Sequence, residues 1–180
     1  MKKKVMKNRF GQVWIETVIY TLIAFVMIGL VLSFAQPKIQ ELQDRAILQQ
    51  STDMMKQIDS TILTMGATGN QRIFEIGMKK GNLIIDGVHE KIIFEMDSKS
   101  VYSEPGKVVE DGSIDVLTEK KSGGNFVTLT RDYSESYNLE FNGVDNQMKT
   151  ITPASNSYKL SIENKGQDAN GKIILDITLE

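Results

Sequence analysis

The sequence predicts an α+β chain in which a long N-terminal helix, apolar in its first half and amphipathic in its second, packs against a C-terminal antiparallel β head. Three observations predict it. The stretch from Thr17 to Ala35 carries no charged residue. A helical repeat continues from it as far as Met65, interrupted only at Pro37. Beyond Gly66 the apolar spacing falls from near 3.6 to near 2, with turn residues at short intervals. At 180 residues the chain is long enough for one ordinary domain, or for a long helix with a smaller head. The formal charge of −2, from 21 basic and 23 acidic residues, provides no basic field, and no nucleic-acid partner is predicted. With no cysteine and a single histidine, His89, thiolate metal sites, disulfides, Cys nucleophiles and most His-based schemes are excluded.

The chain opens on MKKKVMKNRFG, in which Lys2, Lys3, Lys4, Lys7 and Arg9 stand without an acid. The next segment, TVIYTLIAFVMIGLVLSFA, spans about 19 residues, close to the ~30 Å of a bilayer's hydrocarbon at helical rise. Its basic flank places the N-terminus on the cytoplasmic side and everything after Ala35 outside. Three readings compete. Ser33-Phe34-Ala35 offers small residues for an ordinary secretory cleavage, although the apolar run exceeds a signal core of roughly 7–15 residues. A permanent single-pass anchor explains the length but leaves Glu16, at the edge of the span, without a purpose.

The third reading comes from the residues beyond Ala35. Ile39, Leu42, Ala46, Ile47, Met54, Ile58, Ile62 and Met65 recur mostly at three- or four-residue steps, while Glu41, Asp44, Arg45, Asp53, Lys56 and Asp59 fall on other faces. Glu41 and Arg45 are spaced to support the helix, Pro37 predicts a kink, and Gly66 and Gly69 end it. From Gln12 to Met65 the helix would be about 54 residues, roughly 80 Å. An apolar half of that length must lie in lipid or in a bundle of copies, and a subunit that does both in turn is a filament precursor.

The β region is predicted from strands at Arg72–Met78, Leu83–Ile85, Lys91–Met96, Asn125–Arg131, Tyr137–Phe141, Tyr158–Glu163 and Lys172–Leu179. Between them stand Gly81, Asp86-Gly87, Gly123-Gly124, Asn142-Gly143 and Asn170-Gly171. Antiparallel hairpins are the consequence, and residues 98–124, with Pro105 and Gly106, read as a loop. No catalytic constellation emerges, so no enzyme, cofactor or metal is predicted. His89 has no companion ligand. Asp168-Ala169-Asn170-Gly171 lacks the downstream acid of a calcium loop and reads as a turn. Glu104, Glu110, Asp111 and Asp115 read as a solvated acidic surface, Met54 and Met55 as packing, and Gly66–Asn70 lacks the ending of a phosphate loop.

Residues 1 to about 36 resemble the type IV pilin-like proteins, and within them the archaeal pilins with a class III signal peptide. The resemblance rests on KNRFGQVWIETVIY: a basic leader ending in Gly11, Gln12 as first mature residue, Glu16 as the fifth, then an unbroken apolar helix. Trp14 stands where archaeal members usually have Ser. The resemblance implies a leader of residues 1–11, removed by a membrane prepilin peptidase between Gly11 and Gln12. It further implies a helix over residues 12–66 with its membrane and filament-core segment at about 13–35, and an extracellular head over 67–180 in the lollipop form of a pilin. Its partners would be copies of itself, the membrane before assembly, and the peptidase and pilus assembly machinery. Loss of the five leader cations leaves 16 basic against 23 acidic residues, a mature charge of −7 before the new terminus is counted. Glu16 would serve assembly, by meeting the Gln12 amine of a neighbouring subunit, or recognition by the peptidase. A minor pseudopilin of a secretion system and an uncleaved, membrane-anchored binding module are the alternatives.

Overall fold

The computed structural model of the chain describes residues 9–179, with side-chain exposure from Val13 onward. Most of the expected leader, residues 1–8, therefore lies outside the described residues. The α+β expectation is met. Helix α1 covers Arg9–Leu63 and runs through Pro37 as one element, so Pro37 does not mark a join between two helices. Ten strands come after it: β1 (Gln71–Ile76), β2 (Asn82–Asp86), β3 (Lys91–Ser98), β4 (Val108–Asp111), β5 (Ile114–Lys121), β6 (Gly124–Asp132), β7 (Tyr137–Phe141), β8 (Met148–Ile151), β9 (Tyr158–Gln167) and β10 (Ile173–Leu179). By its internal contacts the chain divides into two compact units, residues 1–40 and 41–180. The amphipathic half of α1 thus belongs with the strands and not with the apolar half.

Within residues 41–180 the strands form a six-stranded sheet, ordered β4-β5-β6-β3-β2-β8, and a four-stranded sheet, ordered β1-β9-β10-β7. Alternation decides which residues face inward. On β3, Ile92, Phe94 and Met96 are buried, and on β6, Val127 and Leu129, each against half-exposed neighbours. Leu139, Leu160, Ile162, Leu175 and Ile177 of the second sheet enter the same core, as do Leu48, Met55, Ile58 and Ile62 of α1. Each such aliphatic side chain contributes about 1.5–3 kcal/mol by leaving water. Of the predicted stripe, Ile58 and Ile62 are buried, Ile47, Met54 and Met65 are half-buried, and Ile39, Leu42 and Ala46 remain exposed, while Leu48, outside the stripe, is buried.

Three expectations are corrected. Residues 98–124 are not a loop, since they hold β4 and β5 as a hairpin. Ile114, Val116 and Thr118 of β5 alternate inward, but the third of these is polar, and it is buried only because Ser103 meets its hydroxyl through both backbone N–H (3.0 Å) and Oγ (2.7 Å). Strand β8, with three of its four residues exposed, carries too little apolar pattern to announce itself. Pairing is also not wholly antiparallel, because β7 and β10 run parallel along the edge of the four-stranded sheet.

The polar face of α1 requires a further correction. Asp44 and Asp59, placed by periodicity on solvent faces, are buried. Asp44 accepts from Lys80 Nζ (2.6 Å) and from the Lys99 backbone N–H (2.7 Å). Asp59 accepts from Arg131 Nε (2.7 Å) and Ser113 Oγ (2.5 Å). Lys56 joins Asp111 of β4 at 2.6 Å, so Asp111 is a helix clamp as well as part of the acidic surface. Residues 66–70 then tie the helix end to β9, through Gly69 N–H to the Asn164 carbonyl (2.7 Å) and Asn164 Nδ2 to the Gly66 carbonyl (2.9 Å). This accounts for the glycines beyond the helix end without any phosphate-binding role.

Candidate functional site

The candidate site is the apolar span of α1. From Val13 to Phe34 every residue is exposed, with Trp14 at 76% and Phe34 at 80% of their free surface. Large apolar side chains occupy all sides of the helix here, including Trp14, Ile15, Tyr20, Ile23, Met27 and Ile28. A single stripe would fit one groove; an all-round apolar surface needs an apolar environment on every side. The segment is long and apolar enough to cross a membrane.

Its threonine and serine hydroxyls are already satisfied within the helix. Thr17 Oγ1 donates to the Val13 carbonyl (2.9 Å), Thr21 Oγ1 to the Thr17 carbonyl (2.8 Å) and Ser33 Oγ to the Leu30 carbonyl (2.8 Å). Hydroxyls bonded back in this way can enter lipid or a helix bundle without an unpaired donor. Pro37 lies two residues past the span; lacking an N–H, it leaves the Ser33 carbonyl without its helical donor.

Of the expected processing residues, Gly11 and Gln12 have helical backbone in the opening turns of α1, and Glu16 is exposed one turn further on. The four-residue step from Gln12 to Glu16 puts both on one face of the helix. Cutting the Gly11–Gln12 bond requires those turns to unwind locally, and the first turn of a helix, with four N–H groups unpaired, is where unwinding costs least.

Among the described residues no group of three or more His, Asp or Glu side chains could hold a metal ion. Asp168 closes the β9–β10 turn by accepting from the N–H groups of Asn170 and Lys172, both at 2.8 Å. His89 sits exposed in the β2–β3 turn, its Nδ1 2.8 Å from Asp86 Oδ2. Burial pushes the Asp86 carboxyl up, yet bonds from the His89 ring and from the His89 and Val88 N–H groups outweigh it and hold the carboxyl below its ordinary 3.8. A depressed folded value adds stability that is fully present above the ordinary value and is lost as pH falls through the lower, folded one. Asp86→Asn is therefore expected to flatten the loss of urea resistance below pH 3.8, measured by titrating the unfolding midpoint of wild type and variant. An unchanged acid limb would show that Asp86 does not contribute to it.

Comparison with known protein families, curated proteins and solved structures finds no match.

Proposed function

We propose that this chain is the structural subunit, a prepilin, of an extracellular type IV pilin-like filament, cleaved after Gly11 and assembled through its apolar helix. The observation that carries the reading is the all-round exposed apolar surface from Val13 to Phe34, directly behind a short basic leader and carrying one acid, Glu16. Burial in lipid suits that surface before assembly, and burial among copies suits it afterwards. At about 25 cal/mol per Å² the gross gain from burying such a helix reaches tens of kcal/mol, most of it offset by ordering and by extraction from lipid. Removal of the leader strips the cations that hold the helix's N-terminus at the cytoplasmic face, which frees the helix to be drawn into a growing bundle. The precursor then belongs to the cytoplasmic membrane and the product to the cell surface.

The test is the N-terminal mass of the protein recovered from membranes or sheared surface material of its native cells. A start at Gln12, with or without loss of ammonia, is the expected result. A start at Gln36 would mean ordinary secretion, and an intact leader on the membrane-bound protein would mean a fixed anchor; either would overturn the reading.

A further inference from the structure

We infer that the β2–β3 turn is a pH-sensitive strap, in which the carboxyl of Glu90 stands in for a missing strand along the free edge of β7. The four-stranded sheet ends at β7, whose pairing with β10 leaves the N–H groups of Tyr137, Leu139 and Phe141 pointing away from the sheet. An open edge of this kind invites a further strand. Here each N–H is taken: Tyr137 by the Tyr133 carbonyl (3.0 Å), Phe141 by the Val144 carbonyl (3.0 Å), and Leu139, between them, by Glu90 Oε2 (2.6 Å). The outer two bonds come from the turns that begin and end β7. The middle one comes from the other sheet, 49 positions away in sequence.

Three features hold Glu90 over this position. Its backbone is left-handed (φ 56°), a conformation that a non-glycine residue keeps only where its surroundings impose it. Its carbonyl accepts the Tyr133 N–H (2.8 Å). Gly87, in the same turn, comes so close to β7 that a Cβ there would run into the Leu139 carbonyl. The group that closes the strap also titrates. Burial pushes the half-buried Glu90 carboxyl above its ordinary 4.5; the Leu139 N–H opposes that, Asp145 in the β7–β8 connection adds to it, Lys172 ahead of β10 opposes it, and Asp86 of its own turn adds to it. His89, the remaining ionisable group of the turn, is bonded to Asp86. Ionised, the carboxyl holds Leu139 but sits half out of water with two acids and one cation around it. Protonated, it sheds the charge and keeps its carbonyl oxygen as the acceptor. A raised folded value adds stability that is complete below 4.5 and is lost as pH rises through the higher, folded one, so the strap is tightest in acid.

The test is amide hydrogen exchange of the detergent-solubilised full chain, with protection of the Leu139 N–H read against that of Leu129, whose strand β6 is paired on both sides. That ratio should rise as pH is lowered from 7 to 4.5. Glu90→Gln, which keeps an acceptor and never ionises, should show no such slope. Glu90→Ala should lower the ratio by about tenfold, the loss of one backbone bond. Gly87→Ala, which lifts the turn without touching the carboxyl, should lower it as well. A wild-type ratio that is flat or falls toward acid, or a slope that survives in Glu90→Gln, would overturn the inference. Full protection of Leu139 in Glu90→Ala would overturn it too, by removing Glu90 from the edge. Should Glu90→Ala not fold, the slopes of wild type and Glu90→Gln still decide. Every group involved lies within the β region, so the outcome does not depend on cleavage after Gly11 or on filament assembly.

Discussion

A chain carrying Leu30→Lys is expected to form no filaments while its β region folds as in wild type. Leu30 lies within the apolar span, half exposed, on a helix that presents apolar side chains on all sides. A lysine there forfeits about 1.5–3 kcal/mol of leucine burial and adds about 2.5–3.5 kcal/mol for placing a cation in an apolar helix interior. Together, about 4–6 kcal/mol per subunit weakens each association step by roughly a thousandfold or more. Leu30→Met, of similar volume and without charge, should assemble normally. Electron microscopy of sheared material reads the filaments, and the urea midpoint of the detergent-solubilised chain reads the fold. Filaments of normal length from Leu30→Lys would remove the span from the assembly interface, whatever its part in membrane insertion. Loss of filaments with a lowered midpoint would instead point to a folding defect and leave the span's role to the methionine control.

The same helix shows where a linear reading of this sequence succeeds and where it stops. The span was legible because nineteen uncharged residues in a row have few physical explanations, and the candidate site lies wholly in that local pattern. The strands built on Val127 and Leu129, or on Leu160 and Ile162, were legible because alternation is local too. Three kinds of feature were not. Buried Asp44 and Asp59 look like solvent-face acids until their partners, Lys80, Lys99, Ser113 and Arg131, are brought across 36 to 72 positions of sequence. Strand β5 hides behind Thr118, a polar residue that is inward only because Ser103 satisfies it. The parallel pair of β7 and β10 depends on the path the chain takes through β8 and β9 in between, which neither strand encodes alone.

The largest single loss of stability outside the apolar core is expected from Asp59→Ala. Asp59 is buried, and its two carboxylate oxygens are taken by Arg131 Nε at 2.7 Å and Ser113 Oγ at 2.5 Å. Burial works against the Arg131 charge, but the bond to Asp59 outweighs it and raises the guanidinium above its ordinary value. The guanidinium also lies 5.1 Å from the Tyr133 ring centroid, in a setting where burial pushes the phenol well above its ordinary pKa. Removing the carboxylate strands a cation that is only 26% exposed, while the exposed Ser113 hydroxyl can turn to water, at a cost of about 3–5 kcal/mol. Asp44→Ala should cost less, about 1–3 kcal/mol, because Lys80 is 41% exposed and can return to water while the Lys99 N–H loses its acceptor. Lys56→Ala should cost least, about 1 kcal/mol or under, since both partners of that pair are near 40% exposed. Urea midpoints of the three variants check the order. If Asp59→Ala fell no further than Lys56→Ala, the buried pair would contribute no more than a surface one, and the seating of α1 would have to be assigned to Leu48, Met55, Ile58 and Ile62 alone. If replacing Asp59 and Arg131 together by Leu and Met recovers most of the loss, the cost lies in the stranded charge and the pair serves to set the register of the helix against β6.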